Sequence, residues 1–413
     1  MRTFDIPDFY RSPIISRVKA VRKARDARKR DFSPTLLDFG VVKIMMARHF
    51  GFCFGVENAI EIAYRAIAEN PGKRIFLLSQ MIHNPEVNDD LESRGVQFFM
   101  DTSGRIMTPM STLRPEDVVI VPAFGTTLDI EQQLADIGVD VAKYNTTCPF
   151  VEKVWKRSAS LAAESYTTVI HGKPTHEETR ATFSHAAGKG HALVIKDMEE
   201  ALVLAAFLRG EREWSGFGDS FSADRHTPEF NPERDLKRIG VVNQTTMLAT
   251  ETQAISDVIR DAMPDATGFA NTRDTLCYAT NDNQQATLGA LNGAAGKADL
   301  AVVVGGYNSS NTSHLVELCE DRMPTFFIRN ELEFLPTGEV QHCDWRTGAI
   351  RKTMDPWPES GEHGTAAPTI LLTSGASCPD ASVERVLWRI LDRYPGGKPV
   401  DEVLKDFEAS LAD

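Results

Sequence analysis

The chain has 413 residues, 42% of them hydrophobic, so it is long enough to bury the cores of two or three structural units. Its formal net charge of -13 argues against a nucleic-acid partner, because binding to a phosphate backbone needs a concentrated basic face. The sequence contains neither a run of about 20 apolar residues that could span a bilayer nor an apolar secretory signal, so we expect a cytoplasmic protein without membrane contact.

Residues 1–46 are predicted to be an N-terminal extension that carries a basic helical arm. Between positions 17 and 30 the chain has eight basic residues and one acid in a helix-compatible pattern. Such a pattern favours a solvated helix packed on the body of the protein or on a neighbouring subunit. The alternative is a docking surface for an acidic protein.

The rest of the chain repeats one unit, in which a short apolar strand is followed by a polar or cysteine-bearing turn and an amphipathic helix. Strands that are apolar on both faces are typical of parallel sheets covered on both sides. The clearest strands are residues 118–123, 167–170, 239–242, 300–304 and 369–373. The repeat predicts an α/β fold.

The chain is divided into three predicted α/β modules and a C-terminal helix with a tail, at residues 47–147, 148–276, 277–378 and 379–413. Two stretches rich in Gly, Pro, Ser and charged residues interrupt the modules, at about 211–232 and 336–368. They are predicted to be surface insertions or loops.

Three of the six cysteines share one local setting, the start of a predicted helix. Cys53 precedes apolar residues at helical spacing, Cys148 is the predicted N-cap before Pro149, and Cys277 precedes a helical segment at 281–291. The partial positive charge of a helix N-terminus stabilises a thiolate or the sulfides of a cluster. We therefore take these three cysteines as candidate metal ligands.

The spacings of 95 and 129 residues between the three cysteines fit no zinc-finger or ferredoxin template. Three thiolates on a cubane cluster would leave one iron open, whereas four would close it. A three-ligand zinc site or a redox-thiol site is also compatible with the cysteine count. The remaining cysteines, Cys319, Cys343 and Cys378, are expected to be packing or surface residues.

Polar turns after the predicted strands supply further candidates. His176 could donate to an anionic oxygen, and Glu178 could relay protons if its surroundings raise its pKa toward neutrality. The alternative is that Glu177 and Glu178 are first-turn acids that complement a helix dipole.

Neutral donors occur in two more turns, Asn308 to Asn311 and Gly375 to Ser377. They suit a phosphate held without much positive charge, although ordinary helix capping by Ser and Asn explains the same residues. Thr245 and His83 lie in two other polar turns.

The order of these motifs resembles the 4-hydroxy-3-methylbut-2-enyl diphosphate reductase family, also called IspH or LytB, and within it the longer plant and cyanobacterial branch. The resemblance covers roughly residues 47 to 395. It rests on the motifs GFCFGV (51–56), IHNP (82–85), TCP (147–149), HEE (176–178), QTT (244–246), CYAT (277–280), NSSN (308–311) and GAS (375–377).

The resemblance implies a trefoil of three α/β modules, with short and mostly parallel sheets, around a central iron-sulfur cavity. It makes Cys53, Cys148 and Cys277 the ligands of one [4Fe-4S] cluster per chain, whose open iron takes the hydroxyl of an allylic diphosphate. Two electrons and two protons then remove water and leave isopentenyl or dimethylallyl diphosphate, the last step of the non-mevalonate (MEP) isoprenoid pathway.

The resemblance also implies roles for single residues and a partner. Glu178 matches the proton-delivering acid and Thr245 a threonine near the substrate hydroxyl. The residues that match diphosphate ligands are His83, His176, Ser309, Ser310, Asn311 and Ser377. Ferredoxin or flavodoxin is the implied electron donor. A relative that kept the cluster as a sensor or scaffold and lost catalysis is the rival interpretation.

One position departs from the family pattern. Many bacterial members carry Ala-His-Gly where this chain has Ala123-Phe124-Gly125, so one diphosphate-binding imidazole is missing. We hypothesise that a serine, a threonine or a backbone amide compensates for it, with Thr126 or Thr127 as the nearest candidate.

Overall fold

The computed structural model describes residues 4–270, 275–293, 297–359 and 367–410. It separates into two compact units. Unit 1 comprises Met1–Phe54, His83–Glu86 and Tyr278–Asp413, and unit 2 comprises Gly55–Ile82 and Val87–Cys277. Each unit has its own sheets and its own hydrophobic core.

The strands are short, as expected for an α/β fold with many crossovers. In chain order they are β1 (Thr35–Asp38), β2 (Lys43–Met46), β3 (Ile75–Leu77), β4 (Val96–Phe98), β5 (Val118–Ile120), β6 (Thr167–His171), β7 (Ala192–Ile195), β8 (Ile239–Asn243), β9 (Phe269–Ala270), β10 (Leu300–Val304), β11 (Thr325–Ile328), β12 (Glu339–Cys343), β13 (Ile350–Met354) and β14 (Thr369–Ser374).

Helices alternate with these strands along most of the chain. They are α1 (Pro13–Arg25), α2 (Phe54–Glu69), α3 (Pro85–Ser93), α4 (Leu128–Ile137), α5 (Pro149–Ala163), α6 (Glu177–Ala187), α7 (Met198–Leu208), α8 (Phe217–Ser220), α9 (Pro232–Asp235), α10 (Ala249–Ala262), α11 (Tyr278–Asn292), α12 (Ser310–Glu320), α13 (Asp380–Leu391) and α14 (Val400–Ser410). No helix in the described part of the chain combines the length and the apolar composition that crossing a bilayer requires.

Unit 1 is built on a five-stranded sheet in the order β1-β2-β14-β10-β11. Only the edge pair β1 and β2 is antiparallel. Alternate residues of each strand bury against different helices: Val302 and Val304 join the core that includes α1, α13 and α14, whereas Ala301 and Val303 pack with α12. Burial on both faces explains why the predicted strands read as unbroken apolar runs.

The N-terminal region contributes directly to this sheet. The sequence prediction placed residues 1–46 outside the α/β modules, whereas β1 and β2 are strands of unit 1 and β2 pairs in parallel with β14. Helix α1 buries Ile15 and Val18 in the same core. The region therefore supplies both a strand pair and a covering helix to unit 1.

Unit 2 contains two smaller sheets, in the orders β4-β3-β5 and β7-β6-β8-β9, and all of their pairs are parallel. The stretch at 211–232, predicted to be a surface insertion or loop, forms short helices and places Phe217 and Phe221 in the core around β6 and β8. In unit 1 the stretch at 336–368 contains the antiparallel hairpin of β12 and β13, and its residues 360–366 lie outside the described residues.

The prediction of an α/β fold with short, mostly parallel sheets is confirmed. All five strands selected from the sequence are present as β5, β6, β8, β10 and β14. The predicted C-terminal helix is α13, but the predicted tail also forms a helix, α14, whose Val403, Leu404 and Phe407 are buried in the core of unit 1. The module boundaries themselves stay predictions.

We expect Ile15→Ala to lower the free energy of unfolding by about 2–5 kcal/mol, because it deletes a fully buried aliphatic group from the core of unit 1. Urea denaturation measures the change. Ser16→Ala, at the exposed neighbouring position of α1, is the matched control and should change stability by less than about 0.5 kcal/mol. Equal stabilities of the two variants would mean that α1 is not part of the cooperative core.

Candidate active site

Two polar turns of unit 2 lie side by side at the carboxyl edge of its four-stranded sheet. The last residues of β6 and β8, His171 and Asn243, pair with each other. Just beyond them, the Gln244 side-chain oxygen accepts hydrogen bonds from the Lys173 backbone N–H (3.1 Å) and the Thr179 hydroxyl (3.0 Å). These bonds fix the turn after β8 against the turn that leads into α6.

The Gln244 contacts bring Glu178 and Thr245 together. The Thr245 backbone N–H donates to one carboxyl oxygen of Glu178 at 2.5 Å, and its hydroxyl pairs with the other at 2.9 Å. The Glu178 side chain is 1% exposed and Thr245 6%. A buried acid is thus held by both donors of one threonine.

Burial shifts the acidity of this region. Removal from water raises the pKa of Glu178 to about 7, although both bonds from Thr245 act in the opposite direction. Burial also raises the pKa of Glu177 to about 8, against a hydrogen bond from Ser79. Both acids do lie in the first turn of α6, but a dipole effect alone would not require them to be buried.

The imidazole of His176 is oriented from two sides. His176 is the N-cap of α6, and its Nδ1 accepts the Glu178 backbone N–H at 3.2 Å. A neutral ring then carries its proton on Nε2, which can donate to an anionic oxygen. Phe124 packs edge-on against the ring, with 5.6 Å between centroids and an interplanar angle of 85°. Phe124 therefore helps to fix the orientation of the His176 ring.

Cys148 lies beside this pair. It is the N-cap of α5, as the sequence predicted, and its backbone N–H donates to the carbonyl of Ala123, the residue before Phe124. Trp155 of α5 donates to Thr182 of α6 at 3.1 Å, which packs the two helices together. The N-termini of both helices therefore open at the same edge of unit 2.

Cys277 is tied to the same edge through the residue two positions before it. The Thr275 hydroxyl donates to the Asn243 side-chain oxygen, at the end of β8, at 2.6 Å. Helix α11 begins directly after the cysteine, at Tyr278. Within unit 2, the structure thus brings together Cys148, His176, Glu178, Thr245 and the segment that carries Cys277.

Unit 1 has its own polar edge, formed by the turns that follow β2, β10 and β14. The Cys53 backbone N–H donates to the Ala376 carbonyl at 3.1 Å, and Ala376 donates in turn to the Asn311 side-chain oxygen at 2.8 Å. The Ser377 hydroxyl donates to the His83 carbonyl at 3.2 Å. The structure therefore brings together the predicted residues Cys53, His83, Asn311 and Ser377.

Glycine permits this close approach of backbones. A Cβ at Gly306 would lie 2.3 Å from the His83 carbonyl oxygen, and one at Gly375 would lie 2.0 Å from the Thr312 hydroxyl. Neither distance is possible unless the His83 backbone or the Thr312 side chain moves. Gly306 and Gly375 thus allow the turns of unit 1 to meet.

Ser309, Ser310 and Asn311 differ in their hydrogen bonds within the protein. Ser309 caps α12 and accepts from the Thr312 N–H and hydroxyl, so the capping interpretation holds for it. Ser310 is the first residue of the helix and is buried. The Asn311 side-chain nitrogen is buried and has no hydrogen-bond partner among the described residues. A donor aimed at no protein acceptor suits an anionic ligand.

The six cysteines fall into two groups. Cys53, Cys148 and Cys277 are half-buried cysteines outside any disulfide, and each directly precedes a helix. Cys319, Cys343 and Cys378 are buried, and burial raises the pKa of all three, for Cys319 to about 12. In the described part of the chain, no three His, Cys, Asp or Glu side chains converge closely enough to hold a single metal ion.

The sequence did not predict a network of hydrogen bonds and ion pairs next to His83. Glu86, at the start of α3, accepts from Arg385 at 2.8 Å and from Ser382 at 2.5 Å, and Arg385 also pairs with Glu331 at 2.9 Å. This network fixes the turn that contains His83 to α13. Glu86 lies 296 positions before Ser382 and 299 before Arg385, so no local sequence pattern predicts these contacts.

The hypothesis that Thr126 or Thr127 replaces the missing histidine stays a prediction. The Thr126 carbonyl contacts His185 in the last turn of α6, at 3.1 Å. His176 is at the opposite end of that helix, roughly 13 Å away along its axis at 1.5 Å per residue. Phe124 itself contacts His176.

A sequence model described as LytB protein matches residues 44–391. The chain belongs to the LytB family. This confirms the resemblance predicted from the eight motifs, which extended over nearly the same residues.

Relatives from cyanobacteria agree with this assignment. A protein of Synechococcus sp. (strain WH7803) is 37% identical over 362 residues, and the match covers 86% of both chains. One of Thermosynechococcus vestitus is 37% identical over 360 residues, with 85% of both chains covered. Both are named 4-hydroxy-3-methylbut-2-enyl diphosphate reductase.

Solved structures of the family share the fold. The reductase from Plasmodium falciparum superimposes with a TM-score of 0.60 at 19% identity, covering 89% of this chain and 98% of that one. A structure described as the terminal enzyme of the non-mevalonate pathway superimposes with a TM-score of 0.51 at 24% identity, and the match covers 85% of this chain and 99% of that one.

We expect Glu178→Gln to alter how stability depends on pH. An acid whose pKa rises from 4.5 to about 7 on folding holds its proton more tightly in the folded state, so the free energy of unfolding falls as the pH rises through that window. The variant cannot lose this proton. Its stability relative to the natural protein should therefore increase from about pH 5 to about pH 8, as measured by urea denaturation.

Glu211→Gln is the control, since Glu211 is exposed. Its stability should follow that of the natural protein at every pH. Parallel curves for the Glu178→Gln variant and the natural protein would show that Glu178 is not buried with a raised pKa.

Proposed function

We propose that this protein reduces 4-hydroxy-3-methylbut-2-enyl diphosphate to isopentenyl and dimethylallyl diphosphate. One carbon–oxygen bond breaks, two electrons and two protons are consumed, one carbon–hydrogen bond forms, and water leaves. The observation that carries the proposal is the buried Glu178 carboxyl held by Thr245. Membership of a family whose relatives bear this reductase name supports it.

The proton for the departing hydroxyl would come through Glu178 and Thr245. With a pKa of about 7, Glu178 carries its proton for much of the time at neutral pH. The Thr245 hydroxyl can accept that proton while it releases its own, because a hydroxyl is both donor and acceptor. Thr245 is therefore the proposed relay between the buried acid and the substrate oxygen.

Neutral donors would hold the diphosphate. The proposed ligands are the Asn311 amide nitrogen, the serines that follow β10 and β14, and the imidazoles of His83 and His176. The chain is acidic overall, so binding through amides, hydroxyls and imidazole avoids concentrating lysines at the site. The proposed ligands are His83, His176, Ser309, Ser310, Asn311 and Ser377.

The residues fit a [4Fe-4S] cluster held by Cys53, Cys148 and Cys277. All three thiols are half-buried at helix starts, where the helix dipole favours a thiolate, whereas the other three are buried and hard to ionise. In a cluster each thiolate binds a different iron, so the sulfurs need not converge on one point. When bound, one such cluster per chain would supply the electrons and, with three protein ligands, keep one iron position open.

Electrons would come from a small carrier protein, ferredoxin or flavodoxin. A cytoplasmic location and the division into three modules around the cluster belong to the same proposal. They account for six cysteines with no disulfide among the described residues and for three sheets that are parallel except for the edge pair β1 and β2.

The decisive assay is anaerobic turnover of the allylic diphosphate by the reconstituted protein with a small chemical reductant. Glu178→Gln should lower kcat by about 10²- to 10⁴-fold, since it removes the proton donor, and leave KM little changed. Thr245→Val should also be slow, whereas Thr245→Ser keeps the hydroxyl and should retain activity.

Glu177→Gln is the matched control, because Glu177 is the adjacent acid and is also buried. It should keep most of the activity. A natural protein that binds the cluster but does not reduce the diphosphate would support the rival role of a non-catalytic sensor or scaffold.

Iron analysis after anaerobic purification tests the ligands. The natural protein should contain about four irons per chain, and replacing Cys53, Cys148 or Cys277 with Ser should remove most of them. The same replacement at Cys319, Cys343 or Cys378 should leave the iron content unchanged. A colourless protein that contains zinc would overturn the cluster proposal.

A further inference from the structure

The N-terminal region lies against the loop that carries Cys53. Lys19 of α1 donates to the Phe50 carbonyl at 2.9 Å, and Tyr10 packs edge-on against Phe52 at 5.7 Å between centroids. Both Phe50 and Phe52 lie within three residues of Cys53. We call residues 13–30, which include α1 and the turn after it, the basic arm.

The strand register places the end of the basic arm at the same edge. Thr35, the first residue of β1, pairs with Met46, the last residue of β2. Because the two strands are antiparallel, the chain enters β1 at the edge where β2 leaves for the Cys53 loop. The turn at 26–34 is therefore at the cysteine edge of unit 1.

Seven of the eight basic side chains of the arm divide into two sets, and the eighth, Lys29, is half-buried. One set holds the arm in place through ion pairs with distant parts of unit 1 or with the turn after α1. These pairs are Arg17 with Glu408, Lys19 with Asp380 at 2.7 Å, and Arg22 with Asp31 at 2.9 Å. The charges of these three residues are therefore paired within the protein.

The other set faces solvent. Lys23, Arg28 and Arg30 are exposed, and the described residues provide no ion pair for any of them. Arg25 is exposed as well. Packing of α1 depends on Ile14, Ile15 and Val18, so the outer charges are not needed to hold the helix.

The outer charges form a basic island on an acidic protein. Residues 17–30 hold eight Lys or Arg and one acid, and the rest of the chain holds 37 Lys or Arg against 57 Asp or Glu, a formal charge of -20. An acidic partner would be repelled by most of the molecule and attracted to this island. Such a field selects the orientation of an encounter as well as its rate.

We propose that the exposed face of the basic arm, Lys23, Arg28 and Arg30, is the docking surface for an acidic one-electron carrier protein. The inference rests on the proposed function, which requires two electrons per turnover and hence two encounters with such a carrier. Each encounter oxidises one carrier and reduces the enzyme by one electron. Docking here puts the carrier next to the Cys53 loop, where electrons would enter.

The test compares two reductants and two matched variants of the full-length cluster-loaded protein. Lys23→Glu/Arg28→Glu reverses two outer charges of the arm. Lys297→Glu/Arg322→Glu makes the same change in net charge at exposed positions that precede β10 and β11. Since β2 runs parallel to those strands, the control positions lie at the opposite edge of the sheet from the Cys53 loop.

With a reduced plant-type [2Fe-2S] ferredoxin as donor, the arm variant should lose about tenfold or more in kcat/KM for the carrier. The control variant should stay near the natural rate. With dithionite as donor, both variants should turn over the allylic diphosphate like the natural protein. Added salt should slow the ferredoxin-driven turnover of the natural protein. It should also reduce the difference in this rate between the natural protein and the arm variant.

Each other outcome counts against the docking surface. Equal losses with ferredoxin and dithionite would mean that the arm only supports the fold, and equal losses in both variants would mean that overall charge alone matters. Binding of duplex DNA or anionic vesicles in place of ferredoxin, abolished in the arm variant, would assign the island to another polyanion. Failure of the natural protein with dithionite would instead overturn the proposed function.

Discussion

Parallel pairing makes every strand of a sheet end at the same edge, and the helix after each strand begins there. In this protein the N–H groups of those helix starts, and the residues that cap them, carry nearly all of the candidate chemistry. Cys148 caps α5 and His176 caps α6 in unit 2, and Ser309 caps α12 in unit 1. The site therefore depends on strand direction first and on individual side chains second.

Burial at this edge acts in two ways. It raises the pKa of Glu178 to about 7, so that a protonated fraction suited to proton transfer is present at neutral pH, and it disfavours the charged form of the same group in the folded state. Thr245 limits the effect, because its two hydrogen bonds favour the carboxylate. The pKa of Glu178 thus reflects a balance between burial, which raises it, and the two hydrogen bonds from Thr245, which lower it. A change in either would shift this pKa.

Local sequence patterns predicted the strands, the helix starts and the cysteine positions, because these depend on neighbouring residues. The pattern did not predict that β1 and β2 belong to a sheet, since each is only four residues long and the partner of β2 is far away in the chain. Nor did it predict that Glu177 is buried, because a first-turn acid has the same local sequence whether exposed or not. The contact of Phe124 with His176 was missed for the same reason, as it joins two loops of unit 2.

The pairing of β2 with β14 also governs when unit 1 can form. Lys43 and Thr369 are partners although they lie 326 positions apart. At a synthesis rate of about 5 to 20 residues per second, the first strand waits roughly 16 to 65 s for the other to be made. During that time the apolar residues of β2 and of α1 have no sheet to join, and closing so long a loop is slow. The nascent N-terminal segment therefore exposes apolar residues until synthesis is nearly complete.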